Sequence, residues 1–176
     1  RPSDFRSVLG SLDTGDAELA LTAMPDRIDS WHRHRVLHQE SFLCLYDSAQ
    51  LRRKGKLTLK QYVATPHLLL SPRGETSGPI DERLAKQGLK REVLISVAHF
   101  PLMPFLLRKR PSLVNMPATA ARFYAHEYGL EVCEPPLPPT FFEVGLLWHA
   151  KNDADSGLAW FIDVVAQQVD CLKPSG

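Results

Sequence analysis

The residues best placed to do chemistry meet at one junction. Val93-Leu94-Ile95-Ser96-Val97 is an apolar run of strand length. It stops at Ala98-His99-Phe100-Pro101, before the apolar helical run Leu102-Met103-Pro104-Phe105-Leu106-Leu107. A buried strand feeding a helix puts His99 where strand carboxyl ends meet helix amino ends, which is where open α/β sheets gather ligands. An imidazole there can donate to an anion, and the first helix N–H groups add to it. Pro101 and Pro104 fall in or beside the first turn, where a missing N–H costs little. The competing reading is a half-buried structural histidine bonded to backbone, and His99 taken alone fits that more readily. A second group follows the strand Leu68-Leu69-Leu70. Ser71, Arg73 and Ser77 lie on the loop between that strand and the next helix. A hydroxyl with backbone N–H groups suits a carboxylate, and a guanidinium can grip one through two parallel hydrogen bonds. Against this, Ser77 could simply cap its helix and Arg73 face water, since a pocket needs few polar groups.

Other reactive side chains lack a setting. His32, His34 and His38 invite a metal reading, but no cysteine or carboxylate completes the set at tight spacing, so an exposed strand is expected. No G-x-S-x-G elbow, P-loop or G-x-G-x-x-G occurs. Cys44, Cys133 and Cys171 form no C-x-x-C pair and sit among apolar neighbours. With no activating feature beside Cys44 or Cys133, buried free thiols in a reducing compartment are expected. No catalytic residue, metal or cofactor is expected, and the chemistry left is binding.

The elements that must position these residues follow from patterning. Ser3 can cap a helix with Phe5, Val8, Leu9 and Leu12 on one stripe, and Asp4 suits its positive end. Ala17–Thr22 reads as a strand broken by Met24-Pro25-Asp26, and Trp31–Glu40 as an extended segment. Ser41–Tyr46 reads as a clearer strand. Thr58 and Gln61 make a capping box for a short helix ending near Ala64. Ser77 is expected to cap a helix with Pro79 in its first turn and Gly88 past its end. Leu113-Val114 is a short strand. Pro117 starts a helix carrying Ala121, Tyr124, Ala125 and Tyr128 on one stripe, and Leu130–Cys133 is a strand. Prolines 135, 136, 138 and 139 stiffen a connector. Phe141–Trp148 is apolar enough to be covered on both faces. The last helix aligns Leu158, Phe161, Ile162, Val165 and Val169. The alternation predicts an α/β fold with a mainly parallel sheet. The strands at 41–46 and 141–148 break the rhythm and mark passages between two lobes.

The chain has 176 residues, enough for one good core or two small lobes. A hydrophobic content of 44%, a charged content of 23% and a net charge of +1 describe an ordinary globular chain. They argue against nucleic-acid binding by this stretch alone. The basic run Arg52-Arg53-Lys54-Gly55-Lys56 reads as a solvated loop. No apolar run nears the roughly 18 residues of a membrane span, and no secretion signal opens the chain. A cytoplasmic protein with no membrane partner is expected. The chain starts at Arg1, as a fragment would.

Ordered motifs then point to a family. Gly15-Asp16-Ala17-Glu18-Leu19-Ala20-Leu21 resembles the strand motif of the effector-binding domain of LysR-type transcriptional regulators. Leu57–Tyr62 followed by Pro66–Gly74 is similar to that family's entry into its second lobe. Val97-Ala98-His99-Phe100 and Leu147-Trp148-His149-Ala150-Lys151 resemble the branch that senses aromatic acids. The likeness runs from about residue 5 to residue 170. It implies a two-lobed, type II periplasmic-binding-protein-like α/β fold. Lobe I would hold residues 1–43 and 147–176, and lobe II residues 44–146. It also implies a non-enzymatic sensor that binds a small effector, an aromatic carboxylate or similar anion, between the lobes. By this resemblance His99 contacts the effector, reversing the plainer reading. Ser71, Arg73 and Ser77 would add polar contacts, Phe100 an apolar wall, and Thr22 and Met24 would face them from lobe I. Trp148-His149 would be structural or line the hinge. DNA would be bound only through an N-terminal winged helix outside this chain, and a homodimer or homotetramer is implied. The family's opening strand-helix-strand of lobe I, about 30 residues, is missing, which should leave an apolar sheet edge. Glu18 stands where the family usually has Asp. The rivals are a free-standing solute-binding protein of the same fold and an enzyme built on it.

Overall fold

A computed structural model describes residues 7–53, 55–71 and 74–171. Ser3, Asp4, Phe5 and Arg73 lie outside the described residues. The chain runs α1 (Val8–Thr14), β1 (Leu19–Ala23), β2 (His32–Glu40), β3 (Phe42–Tyr46), α2 (Leu59–Ala64), β4 (His67–Leu70), α3 (Pro79–Ala85) and β5 (Val93–Val97). A 3₁₀ turn (Phe100–Leu102) then leads into α4 (Met103–Leu107), β6 (Leu113–Pro117), α5 (Ala118–Tyr128), β7 (Glu131–Cys133), β8 (Phe142–His149) and α6 (Ser156–Cys171). The chain divides into two compact units, Arg1–Glu40 with Phe141–Gly176, and Ser41–Thr140. It passes between them at 40/41 and at 140/141.

In the first unit β8 lies between β1 and β2, antiparallel to both. Successive strand side chains point to opposite faces, and β8 uses both. Leu146 packs with Leu158, Ile162 and Ala166 of α6, while Leu147 packs with Val8 and Leu12 of α1. That is why residues 141–148 are apolar except for the exposed Glu143. Gly145 faces Thr22 and Val36 in register. A Cβ there would lie 2.6 Å from the Arg35 carbonyl and 2.7 Å from Met24 Sδ, so only glycine fits. The buried face of α6 differs from the expected stripe. Ala166 is buried, whereas Phe161 and its neighbour Trp160 are exposed.

In the second unit the strand order is β5-β4-β6-β3-β7. β4 is parallel to β5 and β6, but β3 is antiparallel to β6 and β7. The mainly parallel sheet expected from the alternation is therefore mixed. The reason is that β3 enters straight from extended chain, with no crossover helix to turn it. One face packs Leu43, Leu45, Leu68, Val114 and Met116 against α4 and α5. The other packs Cys44, Tyr46 and Leu113 against Tyr62 of α2 and Leu84 of α3. The capping box forms as expected, with the Thr58 hydroxyl accepting from the Gln61 N–H at 3.3 Å and Gln61 Oε1 accepting from the Thr58 N–H at 3.0 Å. The cap of α3 does not fall on Ser77. Gly78 is the N-cap, and the Asp81 carboxylate accepts its N–H at 2.8 Å. An aspartate at the third helical position serves that N–H better than a hydroxyl one residue too early.

Candidate functional site

The parallel pairing of β4 with β5 builds the junction. Leu70 pairs with Val97, and the Ser71 N–H donates to the Val97 carbonyl at 2.8 Å. The carboxyl ends of the two strands thus lie side by side. Beyond them His99 caps the 3₁₀ turn in an extended conformation, and its side chain is exposed. Phe100 is half-buried and packs on the core formed with α4 and α5. Ser71 is buried, and its hydroxyl accepts the Glu75 N–H at 2.9 Å. That bond fixes the start of the loop and leaves the hydroxyl proton to point at Glu75 Oε2, 3.4 Å away. Ser77 is exposed and lines a recess of about 590 Å³ with Thr76, Asp81, Lys90, Arg91 and Val93. His99, Phe100 and Ser71 are not among the residues lining it. Thr22 and Met24 belong to the other unit, at the end of β1, and both are half-buried.

A buried polar chain runs at the opposite, amino ends of β4 and β5. Arg91 holds Asp81 with two hydrogen bonds, 2.8 and 2.9 Å. It also reaches His67 Nδ1 at 3.3 Å, while His67 Nε2 lies 2.8 Å from the Tyr62 carbonyl. Only a proton on Nε2 satisfies both contacts, with Nδ1 accepting from the guanidinium. The Tyr62 hydroxyl accepts from Asn115 Nδ2 at 2.6 Å, and Cys44 Sγ donates to Asn115 Oδ1 at 3.3 Å. Burial drives His67 down to about 4 and Tyr62 up to about 12. Burial would raise the Asp81 carboxyl, but the Arg91 hydrogen bonds and charge outweigh it and hold it below its ordinary value.

Sequence reading missed this chain. Asp81 and Arg91 are brought together only by the return of the chain after α3. The one local signal was a histidine opening an otherwise apolar strand. Cys44 and Cys133 form no C-x-x-C pair, yet they are partners in register across β3 and β7.

In the first unit His32 is buried, contrary to the exposed strand expected for it. Its Nε2 lies 2.9 Å from Asp13 Oδ1, off the line of a straight hydrogen bond. Trp31 Nε1 donates to the same oxygen at 3.2 Å, and His149 packs edge-on against His32. His32 is buried because α1 covers the end of β2, which strand alternation alone could not reveal. Among the described residues no group of three or more His, Cys, Asp or Glu side chains is arranged to hold a metal ion, and no helix is long and apolar enough to cross a membrane.

Comparison with known proteins fits this architecture. The family model described as LysR substrate binding domain matches residues 1–170. Nodulation protein D 2 of Rhizobium leguminosarum bv. phaseoli is 29% identical over 146 residues, 82% of this chain and 46% of that protein. The HTH-type transcriptional activator NahR of Pseudomonas putida is 23% identical over 154 residues, 88% of this chain and 51% of that protein. The chain therefore spans about half the length of these relatives. The crystal structure of the regulatory domain of MexT, a transcriptional activator in Pseudomonas aeruginosa, superposes with a TM-score of 0.80 at 26% identity, covering 95% of this chain and 82% of that one. The mixed-sheet α/β architecture is that of LysR regulatory domains, which have a type II periplasmic-binding-protein-like fold. These relatives are regulators rather than enzymes, and they do not favour a free-standing solute-binding protein. The polar strand ends, the mixed sheet and the match over nearly the whole chain have one conclusion: this chain belongs to the LysR substrate-binding domain family.

Proposed function

We propose that this domain is the ligand-sensing part of a cytoplasmic LysR-type regulator. It binds a small aromatic carboxylate, or a similar anion, between two lobes that correspond to the two compact units. The observation that carries this reading is the exposed His99 at the end of β5, beside the buried start of the 71–77 loop at the end of β4. A histidine and the N–H groups of a helix start together favour an anion, and Phe100 offers an adjoining apolar surface. Ser71, Arg73 and Ser77 are assigned to the effector's polar groups, with Thr22 and Met24 contributed by the other lobe. DNA is contacted through an N-terminal winged helix, and the assembly is a homodimer or homotetramer. The effector acts through its differential affinity for two arrangements of the protein.

The test is a thermal-shift titration with a panel of hydroxybenzoates. A cognate acid at about a hundred times its Kd stabilises the fold by about 2.7 kcal/mol. His99→Ala should leave the unliganded melting temperature unchanged, because the side chain is exposed, and remove the ligand-induced shift. Stabilisation by no aromatic acid would overturn the effector class. An undiminished shift in His99→Ala would overturn the site.

A further inference from the structure

The thiols of Cys44 and Cys133 play no part in the proposed sensing site. Cys44 is the middle residue of β3, and Cys133 ends β7. The two are direct partners in the antiparallel register. Direct partners share a face of the sheet, with Cβ atoms about 4.5–5.5 Å apart. A disulfide needs a Cα separation of about 4.4–6.8 Å and Cβ atoms about 3.5–4.5 Å apart. Closure thus asks for at most about 1 Å of approach. Among the described residues β7 is the edge strand of its sheet and pairs only with β3, so no second ladder holds it in place.

The two sulfurs also differ as a reactive pair does. Cys44 is fully buried and Cys133 half-buried. The Cys44 thiol can turn from Asn115 Oδ1 towards a Cys133 thiolate. That hydrogen bond, with the Arg53 charge, outweighs burial and holds the Cys133 thiol below its ordinary value, while the same pairing and burial push Cys44 up. The half-buried partner is the better thiolate, and the fully buried one is held beside it.

We propose that Cys44 and Cys133 form a reversible oxidation site, closed to a cross-strand disulfide by hydrogen peroxide. The Cys133 thiolate sulfur attacks one peroxide oxygen. An S–O bond forms, the O–O bond breaks, and hydroxide leaves to become water. The Cys44 thiol then loses its proton and attacks the Cys133 sulfur. The S–S bond forms, the S–O bond breaks, and a second water departs. Two thiols are oxidised and one peroxide is reduced to two waters. The bridge would clamp the edge strand to β3. It would thereby join the segment just after the first passage between units to the segment just before the second.

The experiment is hydrogen peroxide treatment of the chain carrying Cys171→Ser, followed by non-reducing digestion and mass spectrometry. The expected product is a single cross-linked peptide pair joining Cys44 to Cys133, lighter by two hydrogens and released by dithiothreitol. In a Cys44→Ser variant, Cys133 should stop at the sulfenic acid and be trapped by dimedone. If that variant does not fold, the cross-link assay on the chain that keeps both cysteines decides the matter alone. Peroxide that leaves both thiols free, or carries Cys133 on to the sulfinic acid without a cross-link while Cys44 is present, would overturn the proposal.

Discussion

His67 shows how one side chain links burial to pH. It is fully buried and neutral, held between the Tyr62 carbonyl and the Arg91 guanidinium. Burial lowers it from 6.5 to about 4. Between those values the unfolded chain binds the proton that the folded chain refuses. Stability therefore rises with pH across that interval and is lost as the pH falls through it. The size is about 3 kcal/mol between pH 7 and pH 4. Asp81, also held below its ordinary value, works in the same direction at more acid pH. Urea unfolding at a series of pH values should show this loss, and His67→Gln should flatten the slope between about pH 6.5 and 4 while leaving the more acid part. An unchanged slope in the variant would remove His67 as its source.

At the scale of elements, β8 is the strand most constrained by its neighbours. It carries core side chains on both faces and has glycine where the Arg35 carbonyl and Met24 Sδ crowd its backbone. Gly145→Ala sets a methyl against the Arg35 carbonyl, which cannot yield without moving β2. The expected cost is about 1–3 kcal/mol. Gly10, within α1, has open space around its Cα. Gly10→Ala should instead stabilise by about 0.5–1 kcal/mol through helix propensity and a less flexible unfolded chain. Chemical denaturation of the two variants should give shifts of opposite sign.

For the whole molecule the consequence is a division of stability. Leu146 belongs to a core built from β8 and α6, whereas the second unit has its own cores on the two faces of its sheet. Leu146→Ala opens a cavity costing about 2–5 kcal/mol. Opening of the first unit should become easier while the core strands of the second keep their protection, because local opening follows cooperative units. Amide hydrogen exchange should show faster exchange in β1, β2 and β8, with β4 and β6 unchanged. Equal acceleration in both units would mean that they unfold as one.

Much of this was legible in the residues themselves. The capping box at Thr58, the strand-to-helix turn at His99 and the glycine stop after α5 each depend on neighbours a few positions apart, so local chemistry determined them. The ordered motifs also identified the family, because they extend over nearly the whole chain. Tertiary structure alone decided which long-range partners meet. β3 runs antiparallel, Asp81 pairs with Arg91, Cys44 faces Cys133, and His32 is covered by α1. Each of these depends on strand order and on how helices return over a sheet. Residue spacing carries no record of that, because the free energy that selects it comes from burying both faces of a sheet at once.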